Sequence, residues 1–66
     1  MEILVNDEPV SLDEASTIAQ LLKQLDLIGA ATAVARNGEF VPRSQHADVI
    51  LEGGDMVEIV APMQGG

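Results

Sequence analysis

Apolar and polar residues alternate at both ends of the chain, which is the pattern of strands that bury one face. Met1, Ile3 and Val5 occupy alternate positions at the start, and residues 10–12 alternate again after a segment rich in turn-forming residues. These two runs predict an opening hairpin. Residues 56–60 form another alternating run, rich in β-branched side chains, which predicts a final strand.

One segment between these strands has the spacing of an amphipathic helix. Thr17 is a suitable N-cap residue, and Gln20 follows it at the spacing of a capping box. The apolar positions at i, i+3, i+4 and i+7 are Ile18, Leu21, Leu22 and Leu25. Gly29 is suited to a C-terminal cap. We therefore expect one main helix, whose apolar stripe belongs to the core.

The chain after this helix predicts a second hairpin. Residues 32–36 are strand-like, Asn37-Gly38 is a strong signal for a two-residue turn, and residues 39–41 return before Pro42. The alternation leaves open whether Val34 or the alanine on either side of it faces the core.

The order of these elements defines the fold class. Two strands, a helix, two strands, a short turn and a last strand place one helix across one sheet, and the first and last strands can share its centre only if they run parallel. This order predicts an α+β fold of the β-grasp (ubiquitin-like) type, with a mixed sheet of about four to five strands. We expect residues 1–61 to form this domain and residues 62–66 to form a flexible C-terminal tail.

Composition and charge exclude several classes of function. Eleven acidic and three basic residues give the 66-residue chain a net charge of −8, which repels phosphate backbones and anionic lipid head groups. The chain lacks the Trp and Tyr side chains on which bases stack, and no apolar run approaches the roughly 20 residues of a membrane span. We therefore expect a cytoplasmic protein that binds neither nucleic acid nor a membrane.

Side chains with catalytic potential are few. Ser44 and His46 fall in a predicted exposed turn with no third orienting group, which argues against a hydrolytic site. Acidic pairs such as Glu52 with Asp55 match no dedicated metal-binding loop and are interpreted as solvated turns. Cysteine is absent, so the chain has no thiol nucleophile. The remaining candidate for chemistry is the carboxylate of Gly66.

The chain ends in Gly65-Gly66, whose backbone lacks Cβ atoms and can thread a narrow channel. A carboxylate is a poor acyl donor, and ATP-dependent formation of an acyl-adenylate is the usual route to its activation. The activated Gly66 carbonyl could then be attacked by an amine, which gives protein conjugation, or by a persulfide sulfur, which gives a thiocarboxylate. A frayed terminus without chemistry is the alternative.

The whole chain resembles the ThiS family of sulfur carrier proteins, the ubiquitin-like partners of thiamine thiazole synthesis. The features that carry the resemblance are Asn37-Gly38, the Val-Pro-Arg segment at residues 41–43, Gly54-Asp55 and the terminal Gly65-Gly66, in this order and within this length.

The resemblance implies partners for the tail. A ThiF-like enzyme would adenylate Gly66 with ATP and magnesium, and a sulfurtransferase or cysteine desulfurase would supply sulfur that originates from cysteine. Thiazole synthase would accept the resulting thiocarboxylate, and Gly65 would let the tail enter both partners. The chain itself would bind no cofactor or metal and would act as a co-substrate, not as an enzyme.

Contacts with these partners are expected on the uncovered face of the sheet and in the tail. An apolar patch rimmed by acidic residues would suit docking to an activating enzyme, and the tail residues before the diglycine would line the mouth of the partner's channel. The candidate partner-binding residues are Leu4, Met56, Glu58, Val60, Met63 and Gln64.

Three other functions remain open for such a chain. A MoaD-like small subunit of molybdopterin synthase would carry sulfur on the same kind of body, and a ubiquitin-like modifier would form isopeptide bonds with lysines. A passive acidic adaptor would make no use of its tail. The short length and the Val-Pro-Arg segment favour the ThiS family over the MoaD-like subunit.

Overall fold

The computed structural model describes residues 1–27 and 32–60 of the protein. Within these ranges the chain forms five strands, one α-helix and one 3-10 turn. In chain order they are β1 (Glu2–Val5), β2 (Glu8–Ser11), α1 (Ile18–Gln24), β3 (Ala33–Arg36), β4 (Glu39–Val41), the 3-10 turn (Arg43–Gln45) and β5 (Met56–Val60). The predicted strands and helix are therefore confirmed, and Gly29 and residues 61–66 lie outside the described residues.

The five strands form one sheet in the order β2-β1-β5-β3-β4. β1 and β5 lie side by side and run parallel, with Leu4 opposite Met56 and Val5 opposite Val57. The pairs β1·β2, β3·β4 and β3·β5 are antiparallel. This mixed sheet, with the first and last strands at its centre, is the arrangement that the order of elements predicts.

One face of the sheet packs against α1 to form the core. Ile18 and Leu21 of the helix are fully buried, and Ile3, Val34 and Val57 reach them from three strands with about 1% of their surface exposed. Burial of each such side chain contributes roughly 1.5–3 kcal/mol. The open question about β3 is thereby answered, because Val34 faces the core and the alanines on either side of it do not.

The start of α1 has the predicted capping box. The backbone N–H of Gln20 donates to Thr17 Oγ1 at 3.2 Å, and the backbone N–H of Thr17 donates to Gln20 Oε1 at 2.8 Å. Two N–H groups that the first turn leaves without helical partners are thus satisfied.

Among the described residues, no helix has the length and apolar character needed to cross a membrane.

Both hairpins turn on two residues with positive φ. Asn6 and Asp7 have φ values of 50° and 70°, and Asn37 and Gly38 have values of 51° and 85°, as a twist-compatible hairpin turn requires. The first turn is shorter than the sequence suggests, so β2 begins at Glu8. Pro9 therefore lies within β2, an outer strand of the sheet, where its missing N–H is tolerated.

The prediction that His46 is exposed is wrong. His46 is 7% exposed, and its Nε2 donates a hydrogen bond to the carbonyl oxygen of Val41 at 3.1 Å. Its own carbonyl oxygen accepts from the N–H of Ala19 in α1 at 2.9 Å. His46 therefore links the segment after β4 to the helix, while Ser44 is exposed, and the two do not form a catalytic pair.

Replacement of Thr17 by alanine tests the capping box. Thr17→Ala removes one acceptor from the first helical turn, and we expect the free energy of unfolding to fall by about 1 kcal/mol. Denaturant unfolding measures the change. Ser44→Ala, at an exposed hydroxyl residue outside α1, serves as the control and should change the free energy by less than about 0.5 kcal/mol. Equal losses in the two variants would contradict a specific role for the cap.

Candidate functional site

The sheet face opposite α1 carries the described residues that the sequence proposes for partner binding. Along β5, Val57 and Ile59 are buried, whereas Met56, Glu58 and Val60 point to the other side. Met56 is 53% exposed and Val60 is 67% exposed. Leu4, half-buried in β1, lies opposite Met56. These four residues therefore share one face, and their role in binding stays a prediction.

Phe40 lies on the same face, although the sequence pattern did not lead us to expect it there. It lies in β4 opposite Ala35 of β3, and Ala35 in turn lies opposite Glu58. Phe40 is 66% exposed, an unusual position for the only aromatic side chain of the protein. The sequence does contain the information that places Phe40 on this face. Once the Asn37-Gly38 turn fixes the register, Phe40 and Val41 must point to opposite faces of the sheet.

Glu58 lies beside exposed apolar side chains on the face of the sheet opposite α1. Its strand neighbours on the same face are Met56 and Val60, and Ala35 is its cross-strand partner. Phe40 follows Ala35 in the next strand. We use the name open sheet face for the surface formed by Leu4, Ala35, Phe40, Met56, Glu58 and Val60. It combines exposed apolar side chains with the carboxylate of Glu58.

Asp55, directly before β5, is buried, so its assignment to a solvated turn is wrong. Its carboxylate accepts hydrogen bonds from Arg36 Nε at 2.8 Å, Asn37 Nδ2 at 3.1 Å and the backbone N–H of Glu52 at 2.8 Å. The side chain of Asp55 is 9% exposed. The four residues form a polar cluster that ties the second hairpin to the start of β5.

Burial and hydrogen bonding act in opposite directions on Asp55. Burial raises the pKa of this carboxyl, but the hydrogen bond from the Glu52 backbone, those from Arg36 and Asn37 and the charge of Arg36 lower it more. The net result is a pKa below the ordinary value of 3.8. Asp55 is therefore ionised at neutral pH and pairs with one of the three basic side chains of the protein.

The tail residues of the candidate site are Met63, Gln64, Gly65 and Gly66, and all four lie outside the described residues. Covalent geometry still limits their reach. Six residues follow Val60, the last residue of β5, and a fully extended segment of that length spans at most about 20 Å.

Metal binding finds no support in the described parts of the chain. No three His, Asp or Glu side chains in residues 1–27 and 32–60 come together as a metal centre would require. The acidic residues of this region are thus either exposed on the surface or, like Asp55, engaged in hydrogen bonds.

One helix on a mixed five-stranded sheet, with parallel first and last strands at its centre, defines a β-grasp protein. A crystal structure of the thiamine biosynthesis protein ThiS from Geobacter metallireducens matches this chain with a TM-score of 0.83 and 32% identity, and each chain covers all of the other. A solution structure of a thiamine biosynthesis protein from the same organism gives 0.83 and 30%, covering all of this chain and 88% of that one. The ThiS family model matches residues 1–66, and the chain belongs to the ThiS family.

Curated relatives extend the comparison. The sulfur carrier protein ThiS of Escherichia coli is 38% identical over 66 residues, and the match covers both chains completely. Two thiazole synthases, from Paramagnetospirillum magneticum and Magnetococcus marinus, are 38% and 33% identical over the whole of this chain, which corresponds to 20% of each of theirs. In those two proteins, a segment similar to this chain is part of a much longer thiazole synthase.

The Asp55 cluster predicts a pH-dependent stability. Because the folded-state pKa of Asp55 is lowered, its contribution is fully present above the unfolded value and is lost as the pH falls through the folded value. Asp55→Asn should therefore lower the free energy of unfolding by about 1–3 kcal/mol at pH 7, and this difference should shrink below about pH 4.

Denaturant unfolding between pH 7 and pH 2.5 measures the effect. Asp48→Asn, at an exposed aspartate outside the cluster, is the matched control and should leave the free energy of unfolding nearly unchanged at every pH. A difference between Asp55→Asn and the wild type that stays constant down to pH 2.5 would contradict the lowered pKa.

Proposed function

We propose that the chain is a sulfur carrier for thiazole formation in thiamine biosynthesis, with Gly66 as the residue that holds the sulfur. The observation that carries the proposal is the full-length match to the sulfur carrier protein ThiS, which includes the region of the terminal diglycine. The similarity to two thiazole synthases supports thiazole synthase as the enzyme that receives the sulfur.

The proposed chemistry takes place on the Gly66 carboxyl group. A carboxylate oxygen attacks the α-phosphorus of ATP in a ThiF-like enzyme that uses magnesium, and pyrophosphate leaves. A persulfide sulfur from a sulfurtransferase or cysteine desulfurase then attacks the glycyl carbonyl, and AMP leaves. Cleavage of the resulting acyl disulfide by a thiol releases the thiocarboxylate, which thiazole synthase consumes. The protein acts in this cycle as a cytoplasmic co-substrate and not as an enzyme.

The open sheet face is the proposed docking surface for these enzymes. The net charge of −8 and the carboxylate of Glu58 beside exposed apolar side chains favour a partner that presents both apolar and basic side chains. Arg36, the basic residue nearest in sequence to the second hairpin turn, is paired with Asp55, so it does not neutralise Glu58.

Charge reversal at Glu58 tests the docking surface. Glu58→Lys should weaken the complex with a ThiF-like enzyme by roughly tenfold or more at low salt, because two basic groups would then face each other, and by less at high salt. Titration calorimetry at two salt concentrations measures the dissociation constant.

Glu8→Lys is the matched control for this variant. Glu8 is an exposed strand residue that lies opposite the buried Val5, so it points to the α1 side of the sheet. The two variants change the net charge equally. Equal weakening by both would mean that overall charge, and not the open sheet face, determines the affinity.

Shortening of the tail tests the role of Gly66. Deletion of Gly66 should reduce ATP–pyrophosphate exchange by a ThiF-like enzyme by roughly a hundredfold, because the new carboxylate lies one residue short of the reactive phosphorus. Denaturant unfolding should show no change in the stability of the folded domain. Full exchange activity and full thiazole formation without Gly66 would contradict the proposal and would favour a passive adaptor.

The main competing function is protein modification. A ubiquitin-like modifier would form isopeptide bonds between Gly66 and lysines of other proteins, and mass spectrometry of cell extracts would detect those adducts. A terminal thiocarboxylate without lysine adducts is the outcome that the sulfur carrier proposal predicts. The full-length family match favours the ThiS role over that of a MoaD-like subunit.

A further inference from the structure

Asn6 makes an unusual contact at the point where β1 leaves the sheet. The parallel pairing of β1 with β5 ends at Val5 opposite Val57, and the backbone N–H of Asn6 still donates to the carbonyl oxygen of Val57 at 2.9 Å. The chain then turns away into β2 through Asn6 and Asp7, both with positive φ. The last residues of β5 therefore extend beyond the backbone of β1.

The side chain of Asn6 takes over where that backbone ends. Its Oδ1 accepts from the N–H of Ile59 at 2.9 Å, and its Nδ2 donates to the carbonyl oxygen of Ile59 at 3.1 Å. An amide side chain offers one acceptor and one donor, as a peptide unit does. Asn6 thus continues the β1·β5 pairing by one residue with its side chain, and we call this pair of hydrogen bonds the Asn6 clamp.

A second asparagine holds the other end of β5. Asn37 lies in the second hairpin turn, also with positive φ, and its Oδ1 accepts from the N–H of Met56 at 3.0 Å. The two asparagines have nearly equal φ angles, 50° and 51°, and the Oδ1 of each accepts from a backbone N–H of β5. They differ in position, because Asn37 holds the first residue of β5 and Asn6 holds the residue before Val60, where the strand ends.

We propose that Asn6 is a positioning residue for the chemistry of Gly66. By fixing Ile59, the Asn6 clamp sets the position and direction of the end of β5, the strand that precedes residues 61–66. The proposal rests on the proposed function. Loss of the clamp would leave the end of β5 held from one side only, by the β3 pairs that join Val34 to Ile59 and Ala33 to Val60, so the direction of the strand end would vary more. A reactive group that starts from a less fixed point has a lower effective concentration at a partner's active site. The reacting carboxylate would then reach productive geometry less often.

Asparagine-to-glycine replacements at the two positions test the proposal. Glycine keeps the positive φ without strain, and the two replacements share its effect on the entropy of the unfolded chain. Asn6→Gly removes the two contacts with Ile59, and Asn37→Gly removes those with Met56 and Asp55. In Asn6→Gly, amide hydrogen exchange of Ile59 should accelerate roughly fivefold to thirtyfold, the factor supplied by one or two ordinary hydrogen bonds. In Asn37→Gly the local acceleration should appear at Met56 instead. Denaturant unfolding records the stability of both variants.

Kinetics of adenylation provide the functional readout. The enzyme is a ThiF-like protein that modifies the wild-type chain, and ATP–pyrophosphate exchange gives kcat and KM for each carrier variant. Asn6→Gly should lower kcat by roughly threefold or more, and Asn37→Gly should lower it less. Unchanged amide hydrogen exchange at Ile59 in Asn6→Gly, or equal kcat values for the two variants, would overturn the proposal. If the enzyme does not modify the wild-type chain at all, the proposed function is wrong, and so is the positioning role. Amide hydrogen exchange at Ile59 would still show whether the Asn6 clamp forms.

Discussion

The parallel pairing of β1 with β5 is the contact on which the rest of the structure depends. It joins Leu4 to Met56, residues from opposite ends of the sequence, and it places the two strands at the centre of the sheet with β2 on one side and β3 on the other. Since both strands alternate, one pairing buries Ile3, Val5 and Val57 under α1 and at the same time leaves Leu4 and Met56 on the open sheet face.

Polar side chains extend the pairing of β5 at both of its ends, beside β3 at its start and beside β1 near its end. Asn37 binds Met56 at the start of the strand and also donates to Asp55, and Asn6 binds Ile59 near the end of the strand. These contacts satisfy backbone groups that neighbouring strands do not reach. In a domain this small, with little core, such contacts keep the strand that leads to residues 61–66 in a fixed position.

Local signals in the sequence were sufficient for most of the fold. The capping box, the strand alternation and the Asn37-Gly38 turn each act over a few residues, and each was predicted. The burial of His46 and Asp55 was not, because polar residues in turns are usually exposed, and their partners lie in other parts of the chain. The proximity of Ala35 and Phe40 to Glu58 was also missed, since it depends on cross-strand neighbours that only the sheet register brings together.

In the proposed function, the carboxyl group of Gly66 is the reactive group, and the folded β-grasp domain presents it to the partner enzymes. The most direct test is the intact mass of the protein isolated from cells that are synthesising thiamine. We expect a population heavier than the unmodified chain by the difference between one sulfur and one oxygen atom, with the change confined to Gly66. Unmodified protein alone, or protein linked through Gly66 to lysines of other proteins, would contradict it.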